Sequence, residues 1–180
     1  MLILISGPSG VGKNSVIDEL MARRKLEFMK TCTTRETRAQ NDGAYMHVSK
    51  AEFEKMIEND ELFEYENVHA DIFYGTPFAS LDKVIEGKKD YIKDIDVHGV
   101  QKLKAYLNGK TKCVTVFLDS PNEVLIKRLC GRGESEEMIK KRISRVEMER
   151  KYKNKYDLVL ECKDIKETAS QIEKFCWESK

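Results

Sequence analysis

The sequence predicts an α/β fold, with a parallel central sheet that is covered by helices on both faces. Short apolar segments typical of buried strands alternate along the chain with segments of helical periodicity. The 180 residues suffice for one domain with a proper hydrophobic core. A glycine-rich turn separates the first strand from the first helix, where a phosphate-binding loop would lie.

The predicted strands are short and mostly apolar, which is typical of strands buried on both sides. In chain order they cover residues 2–6, 61–68, 91–96, 113–118 and 157–162, with a further extended stretch over 26–34. The predicted helices cover residues 13–24, 49–59, 77–87, 98–108, 121–130, 134–152 and 164–178. The helix over 49–59 has a clear start signal, because Ser49 and Glu52 can form a capping box.

The composition excludes several classes of protein. Hydrophobic residues make up 41% of the chain and charged residues 35%, yet 32 Lys and Arg against 31 Asp and Glu leave a formal net charge of +1. This balance argues against a nucleic-acid binder and against intrinsic disorder. No apolar run approaches the roughly 18 residues of a membrane helix, and the apolar start at residues 2–5 is too short for a signal peptide.

The cysteines and histidines show no pattern of a metal site. The five cysteines are an odd number without a C-x-x-C pair, and the three histidines are scattered. A zinc site or a disulfide framework is therefore not expected. We expect a cytoplasmic protein without nucleic-acid or membrane partners, and the sequence leaves open whether it is a monomer or a homo-oligomer.

A phosphate-binding loop follows the first strand. Residues 7–13 read G-P-S-G-V-G-K and fit the pattern G-x-x-x-x-G-K, in which backbone N–H groups wrap a phosphate chain and the lysine reaches the terminal phosphates. The helix that follows turns Val16, Ile17, Leu20 and Met21 inward. The predicted ATP-binding residues are Gly7, Pro8, Ser9, Gly10, Val11, Gly12, Lys13, Asn14 and Ser15.

The residue after the loop lysine departs from the pattern. A Ser or Thr hydroxyl is expected there as a contact to Mg²⁺, but the chain has Asn14, followed by Ser15. Either the Asn14 amide oxygen faces the metal, or Ser15 supplies the hydroxyl one position later, as adenylate kinases do. We therefore expect Asn14, Ser15 and, indirectly, Asp94 to serve Mg²⁺.

Further motifs follow in a fixed order. Residues 33–38 read T-T-R-E-T-R, and an arginine fork is suited to clamp a phosphate. Next come residues 45–49, Glu64 and residues 74–76 (Y-G-T). They are followed by an acidic D-I-D-V-H-G segment at 94–99 and a basic segment from Arg128 to Gly133. Together these segments resemble the guanylate kinase family over roughly residues 2–160.

The resemblance implies a P-loop NTPase three-layer fold with a small GMP-binding insertion and an arginine lid. The core would comprise residues 1–30, 81–126 and 156–180, the GMP-binding region 31–80, and the lid 127–155. Between residues 127 and 155 eleven basic residues stand against five acidic ones. The implied reaction transfers the γ-phosphoryl group of ATP to GMP, with Mg²⁺ as cofactor, and the sequence leaves the choice between GMP and dGMP open.

The resemblance also implies the site residues. Those for GMP would be Thr31, Arg35, Arg38, Tyr45, Glu64, Tyr74, Thr76, Asp94 and Asp96. Those for catalysis would be Lys13, Arg128, Arg132, Arg142 and Arg145.

The chain departs from the family pattern in several places. Thr37 stands in place of a proline, Lys93 in place of an apolar strand residue, and Cys162 in place of an asparagine that helps to hold adenine. The lid segment is one residue shorter than the common family form.

Two alternative functions remain open from the sequence. Ribose 1,5-bisphosphate kinases resemble this fold and carry Gly-Lys-Asp-Ser, close to Gly-Lys-Asn-Ser here, but they lack the guanine-reading residues. Scaffold proteins contain non-catalytic guanylate-kinase-like modules, but their phosphate loops are degenerate, whereas Lys13 is intact here.

Overall fold

Strands and helices alternate along the chain in this computed structural model, which describes residues 1–37, 43, 45–69 and 72–178. The strands are β1 (Leu2–Ser6), β2 (Leu26–Phe28), β3 (Thr31–Thr33), β4 (Tyr45–His47), β5 (Leu62–His69), β6 (Ile72–Pro77), β7 (Asp90–Asp94), β8 (Cys113–Asp119) and β9 (Leu158–Glu161). The helices are α1 (Lys13–Arg23), α2 (Lys50–Glu58), α3 (Phe78–Ile85), α4 (Val97–Leu107), α5 (Asn122–Cys130), α6 (Glu136–Arg150) and α7 (Ile165–Glu173).

A five-stranded parallel sheet in the order β2-β7-β1-β8-β9 forms the core, which confirms the predicted fold class. Every residue of β1 is buried, because helices cover both faces of the sheet. Ile3 and Ile5 pack in one apolar cluster with residues of α1 and α7. Leu2 and Leu4 point to the opposite face and pack with residues of α3 and α4.

A second, four-stranded sheet in the order β4-β3-β6-β5 was not predicted. It is mixed, since β3 runs parallel to β4 and antiparallel to β6. The predicted extended stretch 26–34 is in fact two strands in different sheets, and the chain crosses between them at Met29 and Lys30. Strands β4 and β6 escaped prediction because one has only three residues and the other contains Gly75 and Pro77, which weaken strand patterns.

The helices lie where the sequence predicts them, with ends that differ by a few residues. Ser49 and Glu52 form the expected capping box at the start of α2. The last predicted helix is shorter than expected, since α7 ends at Glu173 and a π-helical turn (Lys174–Glu178) follows. None of the helices in the described ranges is long and apolar enough to span a membrane.

Asp157 fixes the start of β9 against β8. Its Oδ2 accepts hydrogen bonds from the Thr115 backbone N–H at 2.8 Å and hydroxyl at 2.7 Å, and its Oδ1 accepts one from Lys104 Nζ at 2.7 Å. Desolvation raises the pKa of this carboxyl, but the hydrogen bonds from Lys104 and Thr115 outweigh it and leave the pKa below its ordinary value of 3.8. The contact fixes the start of β9 beside Thr115, next to the first residue pair of the β8–β9 ladder.

Asp157→Asn should lower the free energy of unfolding by about 1–2 kcal/mol, because it removes charge-assisted acceptors from a partly exposed site. A depressed pKa stabilises the fold above the pKa of the unfolded chain, and this stabilisation is lost as the pH falls through the lower folded value. The difference between the two proteins in urea unfolding should therefore be full at pH 7 and shrink below pH 3.8. Glu161→Gln, at an exposed position of β9, is the control, and an equal loss there would contradict this role.

Candidate active site

The phosphate loop connects the end of β1 to the start of α1 at the carboxyl edge of the parallel sheet. Gly7 has a φ of +138°, and a Cβ there would lie 2.0 Å from the carbonyl oxygen of Leu118 on the neighbouring strand. Gly12 caps α1 with a φ of +108°. Both positions require glycine, so the backbone path of the loop is fixed by sequence.

Lys13 is folded back over this loop. Its Nζ donates hydrogen bonds to the carbonyl oxygens of Gly7 at 2.6 Å and Pro8 at 3.2 Å. Desolvation lowers the pKa of Lys13, while the charges of Asp94 and Glu149 act to raise it. The first turn of α1 contains no acidic residue and no side-chain cap, so its N–H groups and positive dipole end are suited to hold an anion.

Two arginines of the lid segment contact the loop directly. Arg128 donates to the Val11 carbonyl at 2.7 Å and to the Cys162 carbonyl at 3.2 Å, and so ties the loop to the end of β9. Arg142 donates to the Ser9 hydroxyl at 2.9 Å and forms an ion pair with Glu134 at 2.6 Å. Both cations therefore lie where phosphates would enter.

The other two predicted lid arginines lie nearby. Arg132 is exposed, and its charge is close enough to act on the pKa of Lys13. Arg145 is exposed on α6 and lines the large cleft beside the loop. Of the four arginines predicted for the lid, the structure thus places Arg128 and Arg142 on the loop and Arg145 at the cleft.

The cleft has a volume of about 630 Å³ and lies between the two sheets. Its inner end contains Thr31, Glu64, Thr76 and Lys93. The Thr76 hydroxyl donates to Glu64 Oε1 at 3.4 Å, and Lys102 lies 3.9 Å from Glu64 Oε2. Desolvation is the main cause that raises the pKa of Glu64, since these partners compensate only partly for its burial.

One arginine and two tyrosines lie together in another part of the site. The Arg35 guanidinium lies 5.0 Å from the centre of the Tyr45 ring, and the rings of Tyr45 and Tyr74 meet edge-on at 5.9 Å. The Arg35 carbonyl oxygen lies 2.7 Å from His47 Nδ1, which fixes the backbone here. Three of the predicted GMP-binding residues, Arg35, Tyr45 and Tyr74, are therefore neighbours, while Arg38 lies outside the described residues.

Asp94 and Asp96 lie at the carboxyl end of β7 and both line the cleft. Asp94 is close enough to Lys13 for its charge to raise the pKa of that lysine. Asp96 is the N-cap of α4, since its Oδ1 accepts from the backbone N–H groups of His98 at 2.8 Å and Gly99 at 3.0 Å. This capping role, which the sequence analysis did not assign, holds the carboxylate at the rim.

Two charged residues of the site were not among those predicted. Glu149 lines the cleft and acts on Lys13, and its Oε2 is buried without a hydrogen-bond partner among the described residues. Its spacing from Arg142 and Arg145 on α6 places the three on one helical face, a signal that the sequence does carry. The sequence marks Lys93 only as an unusual strand residue, and in the structure its ammonium donates a hydrogen bond to the Thr31 hydroxyl.

The residues expected to contact Mg²⁺ can be compared with the ligands that this ion prefers. Asn14 and Ser15 are exposed in the first turn of α1, and Asp94 faces Lys13 from β7. No cluster of three His, Cys, Asp or Glu suited to a metal exists among residues 1–37, 43, 45–69 and 72–178. A small number of oxygen donors from the protein is typical of Mg²⁺ sites, because this ion keeps several waters and is held mainly by substrate phosphates.

Comparisons with known proteins decide the family. The family model described as guanylate kinase matches residues 1–179. The chain belongs to the guanylate kinase family. A guanylate kinase of Porphyromonas gingivalis is 37% identical to it, over 96% of this chain and 94% of that relative. A guanylate kinase of Malacoplasma penetrans is also 37% identical, over 98% and 92% of the two chains.

The solved structures agree on the fold. The crystal structure of guanylate kinase from Anaplasma phagocytophilum superposes with a TM-score of 0.69, covers 97% of this chain and 82% of that chain, and is 24% identical. At that identity the likeness supports the guanylate kinase fold alone. The roles of individual residues in the present chain rest on their geometry.

Arg128→Ala should raise KM for ATP and lower kcat, by about tenfold or more in kcat/KM, because the carbonyls of Val11 and Cys162 lose a charged donor and the phosphates lose a cation. Steady-state kinetics with varied ATP measures this effect. Lys127→Ala, at the exposed neighbouring position of α5, is the matched control. Unchanged ATP kinetics in Arg128→Ala would refute the assignment.

Proposed function

We propose that this enzyme transfers the γ-phosphoryl group of ATP to GMP, giving ADP and GDP. The observation that carries the proposal is the position of Glu64 in a cleft that Tyr45 and Tyr74 also line. Two further lining residues, Asp94 and Glu149, are close enough to Lys13 of the phosphate loop for their charges to raise its pKa. One end of the cleft is suited to a base, and the other to a phosphate. Membership of the guanylate kinase family supports the same assignment.

Glu64 would select guanine. An ionised carboxylate only accepts hydrogen bonds, and guanine offers two adjacent donors, the ring N1–H and the 2-amino group. Adenine has no donor at N1, so a half-buried carboxylate would remain unpaired against it. Leaving such a group unpaired costs a few kcal/mol, about 1–3 on average, which suffices for strong discrimination. Thr76 would hold the carboxylate in place, since its hydroxyl points at Glu64 Oε1.

The acceptor phosphate would bind where Arg35, Tyr45 and Tyr74 meet. The guanidinium offers paired N–H donors to phosphate oxygens, and each tyrosine offers a hydroxyl. The packing of Arg35 on the Tyr45 ring orients the guanidinium before a nucleotide arrives. We propose that Arg38 completes this clamp.

The triphosphate of ATP would lie in the loop of residues 7–15. Lys13 would leave the carbonyls of Gly7 and Pro8 for the terminal phosphates, which are stronger acceptors. Arg128, Arg132, Arg142 and Arg145 would neutralise charge on the transferring group, the main requirement of phosphoryl transfer. Arg142 would exchange its ion pair with Glu134 for the phosphates.

The reaction needs no general base. The attacking oxygen belongs to a phosphate monoester whose second pKa is about 6, so it is already anionic at neutral pH. Asn14, Ser15 and Asp94 would hold the waters and phosphate oxygens around Mg²⁺, which screens the charge of the phosphates when it is bound. The protein's own contribution is to align the two nucleotides and to exclude water.

We further propose that the regions 31–80 and 127–155 close over the core 1–30, 81–126 and 156–180 during the reaction. Closure would bring Arg132 and Arg145, which are exposed, onto the phosphates. It would also shield ATP from hydrolysis by water.

Lys13→Ala should lower kcat by about 100-fold or more, because a preorganised cation at the transferring group is lost. Measuring ADP release from ATP with GMP gives the result. Lys88→Ala is the control, since its side chain is 78% exposed and lies at the opposite end of the sheet. Turnover within a factor of two of the parent protein would contradict the role of Lys13.

The acceptor assay tests the substrate directly. GMP should be used at least about 100-fold better in kcat/KM than AMP, CMP or UMP, and ribose 1,5-bisphosphate should not be phosphorylated. Glu64→Gln should lower kcat/KM for GMP by about 10- to 100-fold without lowering that for AMP, because the amide presents a donor to guanine N1–H. Glu58→Gln, exposed on α2, is the matched control. Equal use of all four monophosphates would refute guanine selection.

A further inference from the structure

Lys93 is the one charged residue that is buried among the described residues, with 4% of its surface exposed. It is the fourth of the five residues of β7, beside Leu4 of β1 in the parallel register. A position of this kind in a central strand is normally apolar, because a buried ammonium group loses its hydration. We therefore expect the Lys93 ammonium to have hydrogen-bond acceptors that offset the lost hydration.

The described residues supply only some of the acceptors that the Lys93 ammonium can use. The Lys93 ammonium donates a hydrogen bond to the Thr31 hydroxyl. No carboxylate of the described residues forms an ion pair with it, and Asp94 and Glu64 act on it only at longer range. Burial is the largest influence on Lys93 and lowers its pKa below the ordinary value. An ammonium group has three N–H donors, so it retains capacity for further acceptors.

The position of the pair shows where such acceptors would lie. Lys93, Thr31 and Glu64 all line the inner end of the cleft. Because the Thr31 oxygen accepts from Lys93, its own proton is left to point elsewhere. Two N–H groups of Lys93 and the hydroxyl proton of Thr31 are thus available in the cleft that Glu64 also lines.

We propose that Lys93 and Thr31 form a donor pair that reads the O6 and N7 edge of guanine. The inference rests on the proposed function, in which the acceptor is a guanine nucleotide. Along the guanine edge the 2-amino group and N1–H are donors, and O6 and N7 are acceptors. Glu64 matches the first two and the Lys93–Thr31 pair matches the last two. Adenine places an amino donor where guanine has O6, so the pair disfavours adenine independently of Glu64.

A purely structural role is the competing explanation. Thr31 begins β3 of the second sheet and Lys93 belongs to the central sheet, so their hydrogen bond also joins the two sheets. Such a link would affect every acceptor nucleotide equally. A base-reading role affects only nucleotides that present O6 and N7.

The test uses two guanine nucleotides altered only on this edge. In 6-thio-GMP a weakly accepting sulfur replaces O6, and in 7-deaza-GMP a C–H group replaces N7, while both keep the two donors that face Glu64. Lys93→Met should lower kcat/KM for GMP by about 10- to 100-fold, mainly through KM, because a charged contact to the base is lost. Its effect on at least one of the two analogues should be less than about threefold, so that the preference for GMP over that analogue shrinks.

The controls separate the possible causes. Glu64→Gln should lower kcat/KM for all three nucleotides by a similar factor, and Lys88→Met, an exposed lysine outside the lining of the cleft, should leave the preference for GMP unchanged. Thr31→Ser keeps the hydroxyl and should keep the preference, whereas Thr31→Val should reduce it. The midpoint of thermal unfolding establishes that Lys93→Met remains folded.

Two results would overturn the inference. An equal loss with GMP and both analogues in Lys93→Met would identify a structural link between the sheets, and no loss with GMP would show that the ammonium does not contact the base. Failure of the parent protein to phosphorylate GMP at all would instead refute the proposed function. The first two results leave that function intact, so the two failures are distinguishable.

Discussion

The site is arranged around one interaction, the hydrogen bonds of the Lys13 ammonium to the carbonyl oxygens of Gly7 and Pro8. Both carbonyls belong to the phosphate loop at the edge of the parallel sheet. The loop can adopt its path only because Gly7 lies against the Leu118 backbone of the adjacent strand. Arg128 then ties the loop to the end of β9, and Arg142 ties it to the lid helix. Each neighbouring element therefore has its position set relative to one phosphate-binding turn.

The balance of charge in the chain conceals a strong local separation. The formal net charge is only +1, yet the segment 127–155 is markedly basic, and its Arg128 and Arg142 contact the loop. Two charges in the site are costly to bury, since desolvation is the main influence on the pKa of the half-buried Glu64 and of the buried Lys93. Groups of this kind cost stability in the free enzyme, and a ligand of complementary charge and hydrogen-bonding pattern recovers it. The site is in this sense complementary to a nucleotide pair rather than to water.

The sequence predicted best what is local in the chain. The phosphate loop, the capping box of α2 and the alternation of strands and helices depend on contiguous residues, and all three are present in the structure. The second sheet was missed because its strands are short or contain Gly75 and Pro77, so they carry little periodicity. The meeting of Thr31, Glu64 and Lys93 depends on how the two sheets pack, which no spacing along the chain encodes. Only the order of motifs, through the family resemblance, indicated that Glu64 and the arginine-rich segments serve one site.

We propose that the loop and the cleft bind an adenine and a guanine nucleotide at the same time, with the guanine read in the cleft. A bisubstrate analogue that joins adenosine and guanosine through five phosphates tests it most directly, with the symmetric diadenosine compound as comparison. In calorimetric titration the mixed compound should bind at least about 100-fold more tightly than the diadenosine compound, since both carry the same phosphates and differ only in the base that enters the cleft. Equal affinity for the two compounds would contradict the account.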